Sequence, residues 1–356
     1  MCHARSPRRR AFAHSRAHAT HSYDVLTVDA YKARKASERA RDGSLLGAFY
    51  DSTARAVVVG SIAQCEISVL DRGFHRGHGV FDACTILRGK AHALREHCER
   101  LERSVEKARI APTAETSASA LEKIARAVIA ASGVGRGQVR MYVTSGRGRG
   151  FGLLEVGDTA VYVVAYATEE AEETEARAMR EGLTAVTSPI PIKPRKYATL
   201  KSTNYMPNVH CAMDANDRGA DVGVFLTSDG MIGEGPGANV AFLTPDGTLR
   251  TPPATDVLAG VTIRRVKSII ESGANAKALR KVGVKKFDDS QPLSAFVIIG
   301  AEEAMLIGSA CGVKPIVKWD DKLIGDGSVG PATRLIAELL EEDMLSGDAR
   351  VDIVYE

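Results

Sequence analysis

The run Tyr197-Ala-Thr-Leu-Lys201-Ser-Thr-Asn204-Tyr205 follows a proline-rich loop (Pro189, Pro191, Pro194) and precedes a helical pattern. A lysine flanked by small and apolar residues at a strand-to-helix junction can be partly desolvated. Burial lowers its pKa and frees the amine to act as nucleophile or base. Against this stands the commoner case, a solvated lysine at a helix start. A second candidate is Glu234, a lone carboxylate in the turn Gly233-Glu234-Gly235-Pro-Gly237-Ala-Asn239. There it faces a cleft or sits exposed on a hairpin loop. Gly260-Val261-Thr262 opens a helix, where free N–H groups and a hydroxyl suit a phosphate, or serve as plain capping. Gly308-Ser309-Ala310 ends a strand with another small-residue turn able to receive an anion. Arg100 is placed to grip a phosphate or carboxylate through two N–H groups, or to pair on the surface with Glu96 at i, i+4. His75-Arg-Gly-His78 has metal-ligand spacing but no third or fourth ligand beside it. Gly146-Arg147-Gly148-Arg149-Gly150 resembles an anion-recognising loop more than a dinucleotide fingerprint. The chain has no P-loop and no GxGxxG between strand and helix, which removes support from ATPase and Rossmann dehydrogenase chemistry.

Alternating apolar segments and turns must position these groups. Residues 56–60 and 66–70 read as short strands, and 80–87 and 91–94 as a hairpin turned by Gly89. Helical periodicity follows at 95–108, with His97, Leu101, Val105 and Ala108 on one face, and at 116–132. Strands are expected at 138–145 and 159–165. The acidic run 168–175 reads as a solvated linker. Beyond it come a strand at 183–187, a helix at 205–217, and strands at 222–226 and 239–243. A helix is expected at 261–270, a buried strand at 295–300, strands at 304–307 and 313–317, and an amphipathic helix at 331–344. Helices and strands mix without strict βαβ alternation, which predicts an α/β (mixed α+β) class.

Composition frames this. With 356 residues, 44% hydrophobic and 26% charged, the chain suits two domains with real cores. No apolar run reaches membrane-spanning length. The net charge of +3 is unevenly spread, because residues 1–23 hold Arg5, Arg8, Arg9, Arg10 and Arg16 and no acid. Without those five charges the remainder stands at −2. An Arg-, Ala-, Ser- and His-rich leader with no apolar core has the composition of an organelle transit peptide, with chloroplast favoured over mitochondrion. Its rivals are a solvated tail or a nucleic-acid-binding arm, the latter without a recognisable module behind it. Six scattered cysteines with no CxxC pair suit reduced thiols.

Taken in order, these motifs resemble the class IV (fold type IV) pyridoxal-phosphate enzymes over roughly residues 60–340. The stretches that carry the resemblance are Asp71-Arg-Gly73-Phe74-His-Arg-Gly77-His78-Gly79-Val80-Phe81, His97-Cys-Glu-Arg100-Leu101, the lysine, the Glu-Gly…Asn turn, and Leu258-Ala-Gly260-Val261-Thr262. The resemblance implies a smaller N-terminal α/β domain (24–167), a linker (168–178) and a larger C-terminal domain with a barrel-like mixed sheet (179–356). Pyridoxal 5′-phosphate would lie between them. It implies a homodimer acting on small amino and keto acids, with no nucleic-acid or membrane partner and no metal. Lys201 would join the cofactor as a Schiff base and then move the proton between substrate Cα and the cofactor's C4′. Glu234 would pair with the pyridine nitrogen, and Tyr205 would touch the phenolic oxygen. Arg100, Gly260, Val261, Thr262 and Ser309 would hold the phosphate, while Phe81, Arg140 and Arg149 would meet the substrate. Lys201-Ser-Thr-Asn204 has the spacing of D-amino acid aminotransferases and aminodeoxychorismate lyases, and 306–317 looks like the plant and algal D-aminotransferase branch. The expected activity is transamination of an amino acid, with D-amino acids among the candidate donors. The alternatives are 4-amino-4-deoxychorismate lyase, branched-chain aminotransferase, or a non-catalytic scaffold. Two departures stand out: His78 replaces the usual Asp, and Asp82 occupies a position where Glu is common.

Overall fold

A computed structural model describes residues 27–30, 46–52, 54–155, 157–168 and 172–355. Contacts divide the chain into Met1–Asp42 and Gly43–Glu356. Within the first unit only residues 27–30 are described, and they are exposed. The expected leader at 1–23 lies outside the described residues.

The second unit contains two sheets. The first is wholly antiparallel and is built from β1 (Leu46–Asp51), β2 (Ala56–Ser61), β3 (Gly79–Leu87), β4 (Lys90–His92), β5 (Arg136–Arg147) and β6 (Asp158–Ala167). The second is mixed: β7 (Leu183–Thr187), β8 (Val222–Val224), β9 (Asn239–Leu243), β10 (Thr248–Arg250), β11 (Lys286–Asp288), β12 (Glu303–Gly308) and β13 (Gly312–Trp319), with β14 (Lys322–Leu323) beside β13. The chain then returns, and β15 (Arg350–Asp352) pairs with β4 at the edge of the first sheet. The mixed α/β class expected from the sequence is what the structure has.

Among the helices, α1 (Arg72–Arg76), α2 (Leu94–Lys107) and α3 (Ala118–Ser132) belong with the first sheet. Leu94, Leu101, Leu121 and Ile129 pack from α2 and α3 onto Ile86 and Met141. Later come α4 (Glu172–Glu181), α5 (Arg195–Ala198), α6 (Met206–Asp217), α7 (Val261–Glu271), α8 (Ala276–Lys281), α9 (Phe296–Gly300) and α10 (Pro331–Ser346). Val266 of α7 and Ile336 of α10 cover one side of the second sheet with Met305 and Ile307. Trp319, Phe242 and Ile316 form a separate core.

Strand periodicity positions the site. On β3, Val80, Cys84 and Ile86 enter the core with Asp82, and Phe81 and Ala83 face the opposite way. On β5, Val139, Met141 and Val143 are buried in the same core, leaving Gln138, Arg140 and Tyr142 on the other side. The antiparallel register sets Phe81 opposite Tyr142 and Ala83 opposite Arg140. The hairpin between β3 and β4 turns on Arg88 and Gly89, both at positive φ (50° and 72°), the conformation of a two-residue hairpin turn.

Two expectations fail. Residues 66–70 are irregular, not a strand. The strand expected at 295–300 is instead the short helix α9 (Phe296–Gly300), with Phe296 80% exposed. A brief apolar run has no periodicity to separate strand from helix. The acidic run, expected as a solvated linker, is helical from Glu172 onward, and Glu and Ala are strong helix formers.

Candidate active site

Lys201 lies between α5 and α6, on a segment running antiparallel to the start of β3. The Phe81 N–H donates to the Lys201 carbonyl (2.9 Å), and the Thr203 N–H donates to the Gly79 carbonyl (2.9 Å). This pairing hangs Lys201 over the cavity side of β3, with Nζ 4.8 Å from the Phe81 ring centroid. Tyr205, at the N-terminus of α6, has its hydroxyl 3.4 Å from Lys201 Nζ. The Tyr205 ring meets Phe81 edge-on at 5.1 Å, and Phe81 stacks on Tyr142 at 5.7 Å. An aromatic wall therefore runs through Tyr142, Phe81 and Tyr205. It lines a cavity of about 350 Å³ shared by Arg100, Arg140, Glu234, Gly260, Val261, Thr262 and Ser309. Burial lowers the Lys201 pKa to about 8, and the positive charge of Arg100 pushes the same way.

Glu234 is buried beside β9. It accepts from the Leu258 N–H (3.1 Å) and from Asn239 Nδ2 (3.4 Å). Burial raises its pKa to about 7, although the Leu258 N–H opposes the shift. The carboxyl thus holds a proton readily near neutral pH. Burial also pushes the Tyr205 phenol up to about 12.

At another corner, Gly260 starts α7 without a side-chain cap, so the first-turn N–H groups stay open to the cavity. A Cβ on Gly260 would lie 2.0 Å from Asn239 Oδ1, and only glycine fits this close approach. The Thr262 and Ser309 hydroxyls are 3.0 Å apart, and Ser309 Oγ is 3.2 Å from His97 Nε2. His97 Nδ1 is 2.7 Å from Asp82 Oδ1. Arg100 donates to both Asp82 oxygens, Nε and Nη2 each at 2.8 Å, and to the Ala259 carbonyl at 3.1 Å. The surface pairing with Glu96 is thereby overturned: Arg100 is 7% exposed and its partner is Asp82. Burial alone would raise the Asp82 pKa, but Arg100 and His97 hold it well below the usual carboxylate range.

Uncapped amides, two hydroxyls and a guanidinium converge here, the donor set a phosphate dianion requires. With a buried lysine and a buried carboxyl in the same cavity, the residues fit pyridoxal 5′-phosphate.

Arg140 donates from Nε and Nη2 to Gln138 Oε1 (3.3 Å each) and lies over the Tyr166 ring at 5.9 Å. No ion pair forms at it among the described residues. Arg149 is exposed and does not line the cavity. The strand register shifts between Thr144 and Arg147, with Gly146 at φ 66°, and the loop turns away. His75 packs on Phe151, and His78 Nε2 meets the Ala108 carbonyl at 2.9 Å. Among the described residues no cluster of three metal-ligating side chains exists.

Asp82, His97, Asn239, Gln138 and Lys193 were assigned no role from the sequence. His97 and Asn239 stand inside the quoted motifs and Asp82 directly follows one, and alternation along β3 already separates Asp82 from Phe81.

Residues 79–319 match the family model for amino-transferase class IV. The chain belongs to the class IV aminotransferases, and its enzymatic class is therefore aminotransferase. It is 32% identical to a chloroplastic D-amino-acid transaminase of Arabidopsis thaliana over 94% of this chain and 86% of that one. It is 25% identical to a D-alanine aminotransferase of Bacillus licheniformis over 81% and 95%. A T.th. branched-chain amino acid aminotransferase solved with pyridoxamine 5′-phosphate shares its fold. That structure has a TM-score of 0.72 and 24% identity, and the match covers 83% of this chain and 93% of the other.

Proposed function

We propose that the protein transfers the amino group of a D-amino acid to an α-keto acid, using pyridoxal 5′-phosphate in the cavity around Lys201. The observation that carries this reading is the buried Lys201 amine, 3.4 Å from the Tyr205 hydroxyl in a cavity that also holds Glu234 and the open end of α7. The D-amino-acid transaminase among the relatives supports the choice of donor.

When bound, the cofactor supplies an aldehyde that captures amines and a ring that withdraws electrons from the substrate Cα. The chain's own residues do the rest. With a pKa near 8, Lys201 is free amine for about a tenth of the time at pH 7, far more than a solvated lysine. From one face it would move a proton between the substrate Cα and the cofactor's C4′ carbon. Glu234 holds a proton toward a ring nitrogen. Arg100, the Val261 and Thr262 amides and the Thr262 and Ser309 hydroxyls bind the phosphate. Arg140 receives a substrate carboxylate, while Phe81 and Tyr142 keep water from the reacting carbon.

We propose a homodimer as well. The exposed Phe74, Phe151, Leu153 and Leu154 support it: Arg72 holds the Gly152 and Leu153 carbonyls (2.9 and 2.7 Å), which joins their loop to α1. The chloroplastic relative supports a transit segment at 1–23; behind it we propose a small domain at 24–167, a linker at 168–178 and a cofactor-binding domain at 179–356. A reporter fused behind residues 1–42 tests the address.

The activity test is a panel: keto-acid formation from D-alanine, D-aspartate and L-leucine, and pyruvate release from aminodeoxychorismate. D-donor turnover that vanishes in a folded Lys201→Ala variant is the expected result. Turnover of L-leucine alone, or pyruvate release alone, overturns the D-transaminase reading. Activity retained without Lys201 overturns the assignment of the lysine.

A further inference from the structure

A second lysine lines the same cavity. Lys193 belongs to the loop between β7 and α5, where Pro191 and Pro194 fix φ on either side of it. The neighbouring Ile192 side chain sits against Gly233, next to Glu234. Lys193 Nζ lies over the Tyr205 ring, 5.3 Å from its centroid. The ring's other polar contact is the 3.4 Å approach of its hydroxyl to Lys201 Nζ. Among the described residues Lys193 forms no hydrogen bond and no ion pair. Two lysines thus flank one tyrosine, and only Lys201 has a part in the proposed chemistry.

We infer that Lys193 is a positioning residue for Lys201: its ammonium, stacked on Tyr205 and lacking a carboxylate of its own, favours the unprotonated form of the catalytic amine. The inference rests on the assignment of Lys201 as the reactive amine. A cation held in a partly desolvated cavity disfavours a second cation nearby, as in enzymes that activate a lysine with an adjacent positive charge. Burial acts most strongly on Lys201; among its charged neighbours Arg100 and, more weakly, Lys193 disfavour its charge, while Asp82 and Glu234 favour it. Arg100 is occupied by Asp82, so much of its effect is cancelled close by. The Lys193 charge feels Glu234, a carboxyl that is itself partly protonated near pH 7. Of the two cations acting on Lys201, Lys193 is therefore the one less compensated by a neighbouring anion. The Tyr205 ring holds it in place by cation–π attraction.

The test is competitive acetylation of the full-length chain freed of cofactor, at graded pH, with the Lys201 peptide quantified by mass spectrometry. In the unaltered protein the Lys201 labelling midpoint is expected near pH 8. Lys193→Met should move it up by about half a unit to one unit. Lys193→Glu should move it further, and Lys193→Arg should leave it unchanged. Turnover of the intact enzyme should follow the same order in its ascending pH limb, with circular dichroism confirming the fold. Equal midpoints across the charge series overturn the inference, since a purely structural loop residue would not grade with charge. Loss of turnover in Lys201→Ala with a flat Lys193 series would overturn this inference and leave the Lys201 assignment standing. Retained turnover in Lys201→Ala would overturn both.

Discussion

Asp82→Asn removes one charge and almost no volume from the most tightly bonded group beside the cavity. The Asp82 side chain is fully buried, and it accepts two 2.8 Å bonds from Arg100, one of 2.7 Å from His97 and one of 2.8 Å from the Ala83 N–H. At a charge separation of roughly 4 Å and an effective dielectric of about 20, the attraction to Arg100 is about 4 kcal/mol. Removing one member of a buried pair strands the other, at a cost of about 3–5 kcal/mol. Asparagine must also turn an NH₂ toward a donor. Urea unfolding should therefore show a loss of about 3–5 kcal/mol through a lower midpoint at unchanged slope. Arg100→Met should be similarly harmful. The double variant should be less harmful than the sum, with a coupling of about 1–3 kcal/mol, because no charge is then left alone. Asp82→Asn within about 1 kcal/mol of the parent, or strictly additive variants, would refute the view that the pair is desolvated and mutually dependent.

Three further outcomes are expected. Arg140→Met should raise KM for amino and keto acids by about 10- to 100-fold with a smaller change in kcat, because a charge-assisted carboxylate contact is lost before chemistry; unchanged KM values would remove Arg140 from the substrate. Gly260→Ala pushes a Cβ into Asn239, whose amide supports Glu234 and the Leu258 carbonyl. Cofactor retention should weaken by about tenfold, the worth of roughly one hydrogen bond, as read by equilibrium dialysis. Asp343 bonds to His92 (2.9 Å) and Arg265 (2.6 and 3.0 Å). Burial pushes its pKa up, but these partners hold it at about 2. Its folded value is below its unfolded one, so its stabilisation is complete above about pH 4 and is lost as pH falls toward 2. Asp343→Asn should flatten stability against pH in that window.

The parts of the fold legible in the sequence are those with long periodic signals. Helices α2, α3 and α10 and strands β3, β5 and β9 stand within a few residues of their expected places. Some short segments were not legible. The three-residue strands β10, β11 and β15 carry too little pattern, and α9 exposes Phe296 and Ile299 where apolar character suggested burial. Within the site, residues in ordered motifs came together around Lys201. The supporting side chains did not show themselves, because their role depends on contacts across the chain: Asp82 meets residues 15 and 18 positions later, and His97 meets Ser309. Arg149 departs from its expected place for a backbone reason, the positive-φ turn at Gly146.

The return of β15 to the first sheet affects the order in which the protein can be completed on the ribosome. β4 stands at an edge whose hydrogen bonds are satisfied only when Arg350–Asp352 arrives, and Tyr355 then locks the corner by donating to the Val134 carbonyl at 2.7 Å. Until that late segment emerges, the nascent first sheet presents an unpaired strand to its surroundings. The second half of the chain thus acts as a fastener for the first, and a tag or truncation at residues 350–355 would act on the oldest part of the molecule.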